Sequence, residues 1–161
     1  MTEAAEARRS PEFPGRAAGA TAPVIVVGLD GSPASWDAFS WAAGEAARTG
    51  GALIAVHASP GLEPAAAFCV PLDYAAADRA RQEFARQLAA EAAQRARDAC
   101  VPLRFVRETG GVTRALASVA RSAGADVVVV GRSAKMLHRL AGSPGRRLAC
   151  RHDAPVVVVV P

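Results

Sequence analysis

Between Gly131 and Arg147 the chain reads GRSAKMLHRLAGSPGRR, in which glycines, a serine and arginines suit one kind of chemistry. Glycine lets a backbone N–H approach a phosphate oxygen closely, and guanidinium groups meet phosphates with paired donors. Arg132, Lys135, Arg139, Arg146, Arg147 and Arg151 crowd in or beside this stretch, with Asp153 the only acid nearby. Asp30, in GLDGSPAS, is the second candidate. Its carboxylate suits a magnesium ion held through a phosphate ligand, and equally the N–H groups of a chain reversal. The remaining reactive types stand apart. His57, His138 and His152 share no ligand spacing, so no metal site is expected. Ser35 and Ser143 have no recognisable histidine–acid partner, and the G-x-S-x-G elbow is absent. No catalytic set is expected, and the chain reads as a non-enzyme.

These residues need elements to place them. PVIVVGL (23–29), ALIAVHA (52–58), PLRFVRE (102–108), DVVVVG (126–131) and PVVVVV (155–160) are short apolar runs, the pattern of strands covered on both faces. Ser32 suits a helix cap and Pro33 a first turn, so a helix is expected from there to about Arg48, with Trp36, Phe39, Ala43 and Ala46 on one side. Gly50 and Gly51 end it. After a Pro- and Gly-rich loop over 59–72, a long helix is expected from about Tyr74 to Cys100, with Phe84, Leu88, Ala92 and Ala96 stepping at i+4. Thr113 to Ala123 is a further helix, with Leu116, Val119 and Ala120 inward, and 141–152 the last. Strands alternating with helices, each strand apolar throughout, predict an α/β fold: one mostly parallel sheet with helices on both faces. In such sheets ligands sit outside the carboxyl ends of the strands, where the strand order reverses. That rule points to Asp30 and Gly131.

The totals bound the function. A chain of 161 residues suggests one domain, expected over 23–161. Residues 1–22 are rich in Ala, Gly, Pro and charge with no Leu, Ile or Val, which predicts a disordered tail and no signal peptide. The hydrophobic share is 51% but only 5% is aromatic, so the core must be Ala, Val and Leu. A net charge of +4 resembles that of nucleic-acid binders, yet Lys135 is the only lysine and the arginines are scattered among acids on helices. No nucleic-acid partner is expected. No run is long enough to span a bilayer, so no membrane contact is expected either. Cys69, Cys100 and Cys150 form no CxxC, and their odd count and wide gaps suit free thiols in a reducing, cytoplasmic compartment.

VIVVGLDGSPAS at the first strand, VHA at the end of the second, and DVVVVG…GS…APVVVVVP at the end together resemble the universal stress protein family, over about residues 23–160. The resemblance implies strand order 3-2-1-4-5 and a homodimer pairing through the last strand, here 155–160. It also implies an ATP site in some members, built on a loop G-x2-G-x9-G-[ST] after strand four. Carried over residue by residue, Gly131 matches the first glycine, Ala134 stands at the second, and Gly142 and Ser143 match the closing pair. Between Ala134 and Gly142 the loop is two residues shorter than the pattern, and Pro144 follows where a free N–H is usual. Asp30 matches the acid after strand one, and Ala58 would face the adenine edge with its backbone. Two readings stay open. Arg132 and its basic neighbours replace the lost backbone donors and ATP binds, with Mg2+. Otherwise the site is degenerate and the chain is an interaction protein that meets protein partners through its dimer and helix surfaces. Weak ATP hydrolysis is a variant of the first. A phosphorelay receiver would need an acidic cluster after strand one, where Asp30 stands alone, and a dinucleotide fold would need G-x-G-x-x-G.

Overall fold

The computed structural model describes residues 22–59, 71–132 and 156–161, of which 71–75 by backbone alone. Eight elements follow in chain order: β1 (Val24–Gly28), α1 (Pro33–Thr49), β2 (Ala52–Ser59), α2 (Pro71–Asp98), β3 (Leu103–Thr109), α3 (Val112–Ala123), β4 (Val127–Gly131) and β5 (Val156–Val160). The strands form one parallel sheet in the order β3-β2-β1-β4-β5. This is the expected α/β architecture. The expected tail, the loop beyond Arg132 and the expected helix over 141–152 lie outside the described residues.

Valine runs become central strands here because both faces of the sheet are covered. Ile25, Val27 and Val129 turn to one face, where they pack with Phe39, Ala42 and Ala46 of α1 and Ala92 and Ala96 of α2. Val26, Val128 and Val130 turn to the other face, against Leu116, Val119 and Ala120 of α3. Alternation along β1 and β4 feeds both clusters, so their positions are apolar throughout. Small alanines on the helices let them lie close to the sheet. Among the described residues Phe39, 1% exposed, is the one bulky aromatic fully enclosed.

The helix ends follow local chemistry. Ser32 caps α1, its Oγ accepting from Ser35 N–H at 3.2 Å, and Pro33 occupies the first helical position. Gly50 ends the helix in the left-handed region, and Gly51 N–H donates to Ala46 O at 2.8 Å. α2 begins at Pro71, three residues before the expected Tyr74, because proline suits a first turn as well as a loop. Asp126 ties the starts of two strands together: its N–H donates to Val24 O and its Oδ2 accepts from Val24 N–H, both at 2.9 Å.

Candidate functional site

β1 and β4 are neighbours although helices and strands separate them in sequence, and the strand order reverses between them. A small, open cleft lies at their carboxyl ends, where ligands sit in sheets of this kind. Its floor is Gly28 of β1, Leu29 just after it and Gly131 of β4; one wall is Val56 and Ala58 of β2 with Val112 at the start of α3. Asp30, Ser32 and Ser35 form the polar side, at the turn from β1 into α1. The parallel register puts Gly28 beside Val56, so β1 and β2 reach the cleft at the same level.

Asp30 is exposed and faces this space. Its Oδ1 accepts from Ser32 N–H at 2.9 Å and from Ser32 Oγ at 2.6 Å. Burial raises the pKa of this carboxyl, but the Ser32 hydroxyl and N–H, helped by Ser35, outweigh it. The group is held below the usual aspartate range and is ionised at neutral pH. An anion in this corner would be repelled, whereas an N–H or O–H donor or a cation would be held. The β4 side of the cleft, where Arg132 is exposed, is the side whose charge suits an anion.

The start of α1 gives a phosphate little. Pro33 has no N–H, Ser35 N–H is taken by Ser32, and Trp36 N–H donates to Ser32 O at 3.1 Å. Gly131 is placed as expected at the end of β4, but its glycine has a packing reason. A Cβ there would overlap the Ala34 carbonyl and come within 2.8 Å of Ser35 N. The first turn of α1 rests directly on the last residue of β4.

Of the sequence-expected site, Asp30, Ala58 and Gly131 come together in the cleft, with Arg132 following at its edge. Ala134, Gly142 and Ser143 lie outside the described residues. Gly28, Leu29, Ser32, Ser35, Val56 and Val112 line the cleft without having been expected there. Ser32 and Ser35 carried a signal: both follow the cleft carboxylate within five positions. Val112 carried none, since the β3–α3 connection meets the cleft only through the crossover. Among the described residues no cluster of three or more His, Cys, Asp or Glu is disposed to hold a metal ion, so Mg2+ would depend on ligand oxygens beside Asp30. No helix among them is long and apolar enough to cross a membrane.

A profile described as the universal stress protein family matches residues 23–160. No curated protein sequence matches. Among solved structures, a universal stress protein family protein from Burkholderia pseudomallei is similar with a TM-score of 0.65 and 26% identity, covering 89% of this chain and 98% of that one. A universal stress protein solved in complex with cAMP is similar with a TM-score of 0.64 and 27% identity, covering 86% and 97%. An Archaeoglobus fulgidus universal stress protein solved with dAMP has a TM-score of 0.56 over 87% and 98% of the two chains, and at 17% identity that likeness concerns the fold alone.

Proposed function

The chain belongs to the universal stress protein family, and from that premise we propose that it is a nucleotide-responsive stress-response module whose cleft between β1 and β4 takes an adenine nucleotide. The observation that carries this reading is Asp30: an ionised carboxylate at the switch point of the sheet, beside an apolar wall. That corner suits the donor groups of a nucleoside, and Val56, Ala58 and Val112 suit the flat face of a base. The relative 27% identical to this chain was solved with cAMP.

Phosphate number follows from the loop sequence. Ala134, the two missing residues and Pro144 weaken a backbone cradle built for three phosphates, while Arg132 and its basic neighbours remain for one. The ligand expected to bind best is therefore cAMP, with ATP and Mg2+ weaker. Turnover is not proposed: Asp30 is the only titratable side chain among the described cleft residues, and its role is to accept. Calorimetric titration of cAMP and of ATP with Mg2+, into protein stripped of co-purified nucleotide, is the test. Saturable heat with cAMP, lost in Asp30→Ala, is expected. No heat with either ligand would overturn the reading and leave the family's other mode, a protein that acts through its surfaces.

That second mode has an observation of its own. Val156, Val157 and Val159 of β5 are 64%, 38% and 44% exposed, a row of apolar side chains on an edge strand. A homodimer through β5 would cover them. A cytoplasmic setting accompanies both modes, in keeping with the exposed free thiol of Cys100.

A further inference from the structure

Ser35 and His57 are the two buried polar side chains among the described residues, 5% and 8% exposed. They come from different elements, α1 and β2, yet both grip the same peptide group. His57 Nδ1 lies 2.9 Å from the Leu29 carbonyl oxygen. A carbonyl only accepts, so Nδ1 carries the proton and donates. At the other end of that peptide, Asp30 N–H donates to Ser35 Oγ across a long 3.4 Å. The Ser35 hydroxyl is itself oriented, donating to Ser32 O at 2.8 Å. One residue earlier, Leu29 N–H donates to Val56 O at 2.9 Å.

A planar peptide held at both ends fixes ψ of the residue before it and φ of the residue after it. Here these are ψ of Leu29 and φ of Asp30, and φ of Asp30 sets the direction of its Cα–Cβ bond. We infer that His57 is the positioning residue of the cleft: by donating from Nδ1 to the Leu29 carbonyl it fixes the peptide that aims the Asp30 carboxylate. The ring acts through that peptide and not on a ligand. Strand alternation turns His57 away from Val56 and Ala58, toward α2, where Phe84 meets it edge-on with centroids 5.8 Å apart. Phe84 also backs the next residue of the turn. Gly31 has φ +83°, and a Cβ there would lie 2.9 Å from Phe84 Cζ. So β2, α1 and α2 all converge on one tripeptide, Leu29–Asp30–Gly31. A buried histidine and serine spent on one peptide are hard to explain as core filling, since a valine would fill either place without needing a partner. As a statement about ligand binding, the inference rests on the cleft taking a nucleotide.

The ring geometry makes the test discriminating. Asparagine places its Nδ2 where histidine places Nδ1, whereas glutamine reaches instead toward the Nε2 position. Phenylalanine keeps the ring and the contact with Phe84 but has no donor. In His57→Phe and His57→Gln, cAMP affinity is expected to fall about tenfold, the scale of one buried hydrogen bond lost with its acceptor left unpaired. His57→Asn should restore most of it. Readouts independent of ligand come from NMR on the unliganded protein. Imidazole 15N shifts should give the Nδ1–H tautomer, and the Asp30 carboxyl should titrate upward in His57→Phe but not in His57→Asn as the Ser32 contacts loosen. An Nε2–H tautomer would overturn the clamp, as would an Asp30 titration unchanged in His57→Phe. If wild-type protein takes up no nucleotide, the nucleotide reading fails on its own, and the tautomer and the carboxyl titration still decide whether His57 aims Asp30.

Discussion

At the scale of single residues, the ionised state of Asp30 has a consequence for stability. Its pKa is lower folded than unfolded, so the carboxylate stabilises the fold above the unfolded value, about 4, and that contribution is lost as the pH falls through the folded value. Asp30→Asn should remove this part of the acid sensitivity. Urea midpoints measured from pH 6 down to pH 3 should converge for the two proteins at the acid end, and parallel curves would refute the assignment. Gly131 and Cys100 make opposite tests of backbone space. Gly131→Ala drives a methyl into the Ala34 carbonyl, and a cost of about 2–4 kcal/mol is expected, since backbone cannot step aside as a side chain can. Cys100 holds φ 55° at the end of α2, where Cys100 N–H donates to Arg97 O and Val101 N–H to Ala96 O, each at 2.9 Å. Glycine is at ease in that conformation, so Cys100→Gly is expected to stabilise by about 0.5–1 kcal/mol in thermal melts.

At the scale of elements, the legible features were those that sequence-local physics decides. Five apolar runs with helical stretches between them could only bury both faces of a parallel sheet, and Ser32, Pro33 and Gly50 set the ends of α1 within its own few residues. Phe84 shows where this reading ends. It stands in step with Leu88, Ala92 and Ala96, which are buried, yet it is 43% exposed. It sits over the carboxyl end of β2, where it meets His57 edge-on and covers Gly31 in the turn after β1. Gly131 shows the same limit within the cleft. Its place at the site could be read, but not its reason, because the contact with α1 joins residues far apart in sequence. α1 itself has a testable hub in Phe39, which fills the space above Ile25 and Val129. Phe39→Ala is expected to cost about 3–5 kcal/mol in denaturant unfolding, with the small alanines of α1 and α2 unable to close the gap. A loss under about 1 kcal/mol would mean that the core collapses onto the cavity.

At the scale of the whole molecule, the open question in the sheet is what meets its β5 edge. In a parallel pair, alternate residues of a strand direct their N–H and C=O groups to the same neighbour. Val156 N–H donates to Asp126 O, and Arg132 N–H donates to Val160 O, so Val156, Val158 and Val160 face β4. Val157 and Val159 therefore direct theirs to the free edge. Among the described residues no strand pairs with that edge, and their side chains are exposed as well, the combination that invites pairing with another chain. The proposed homodimer would join two such edges. Proline at position 157 distinguishes pairing from mere exposure, because it removes an outward N–H and leaves the ladder to β4 intact. Sedimentation at micromolar concentration should give a dimer for the wild type and a shift to monomer for Val157→Pro, with far-UV circular dichroism unchanged. A wild-type monomer would remove the edge as an interface. A Val157→Pro dimer as tight as the wild type would place the contact on side chains or another face, for which exposed Trp41 on α1 is the next residue to replace.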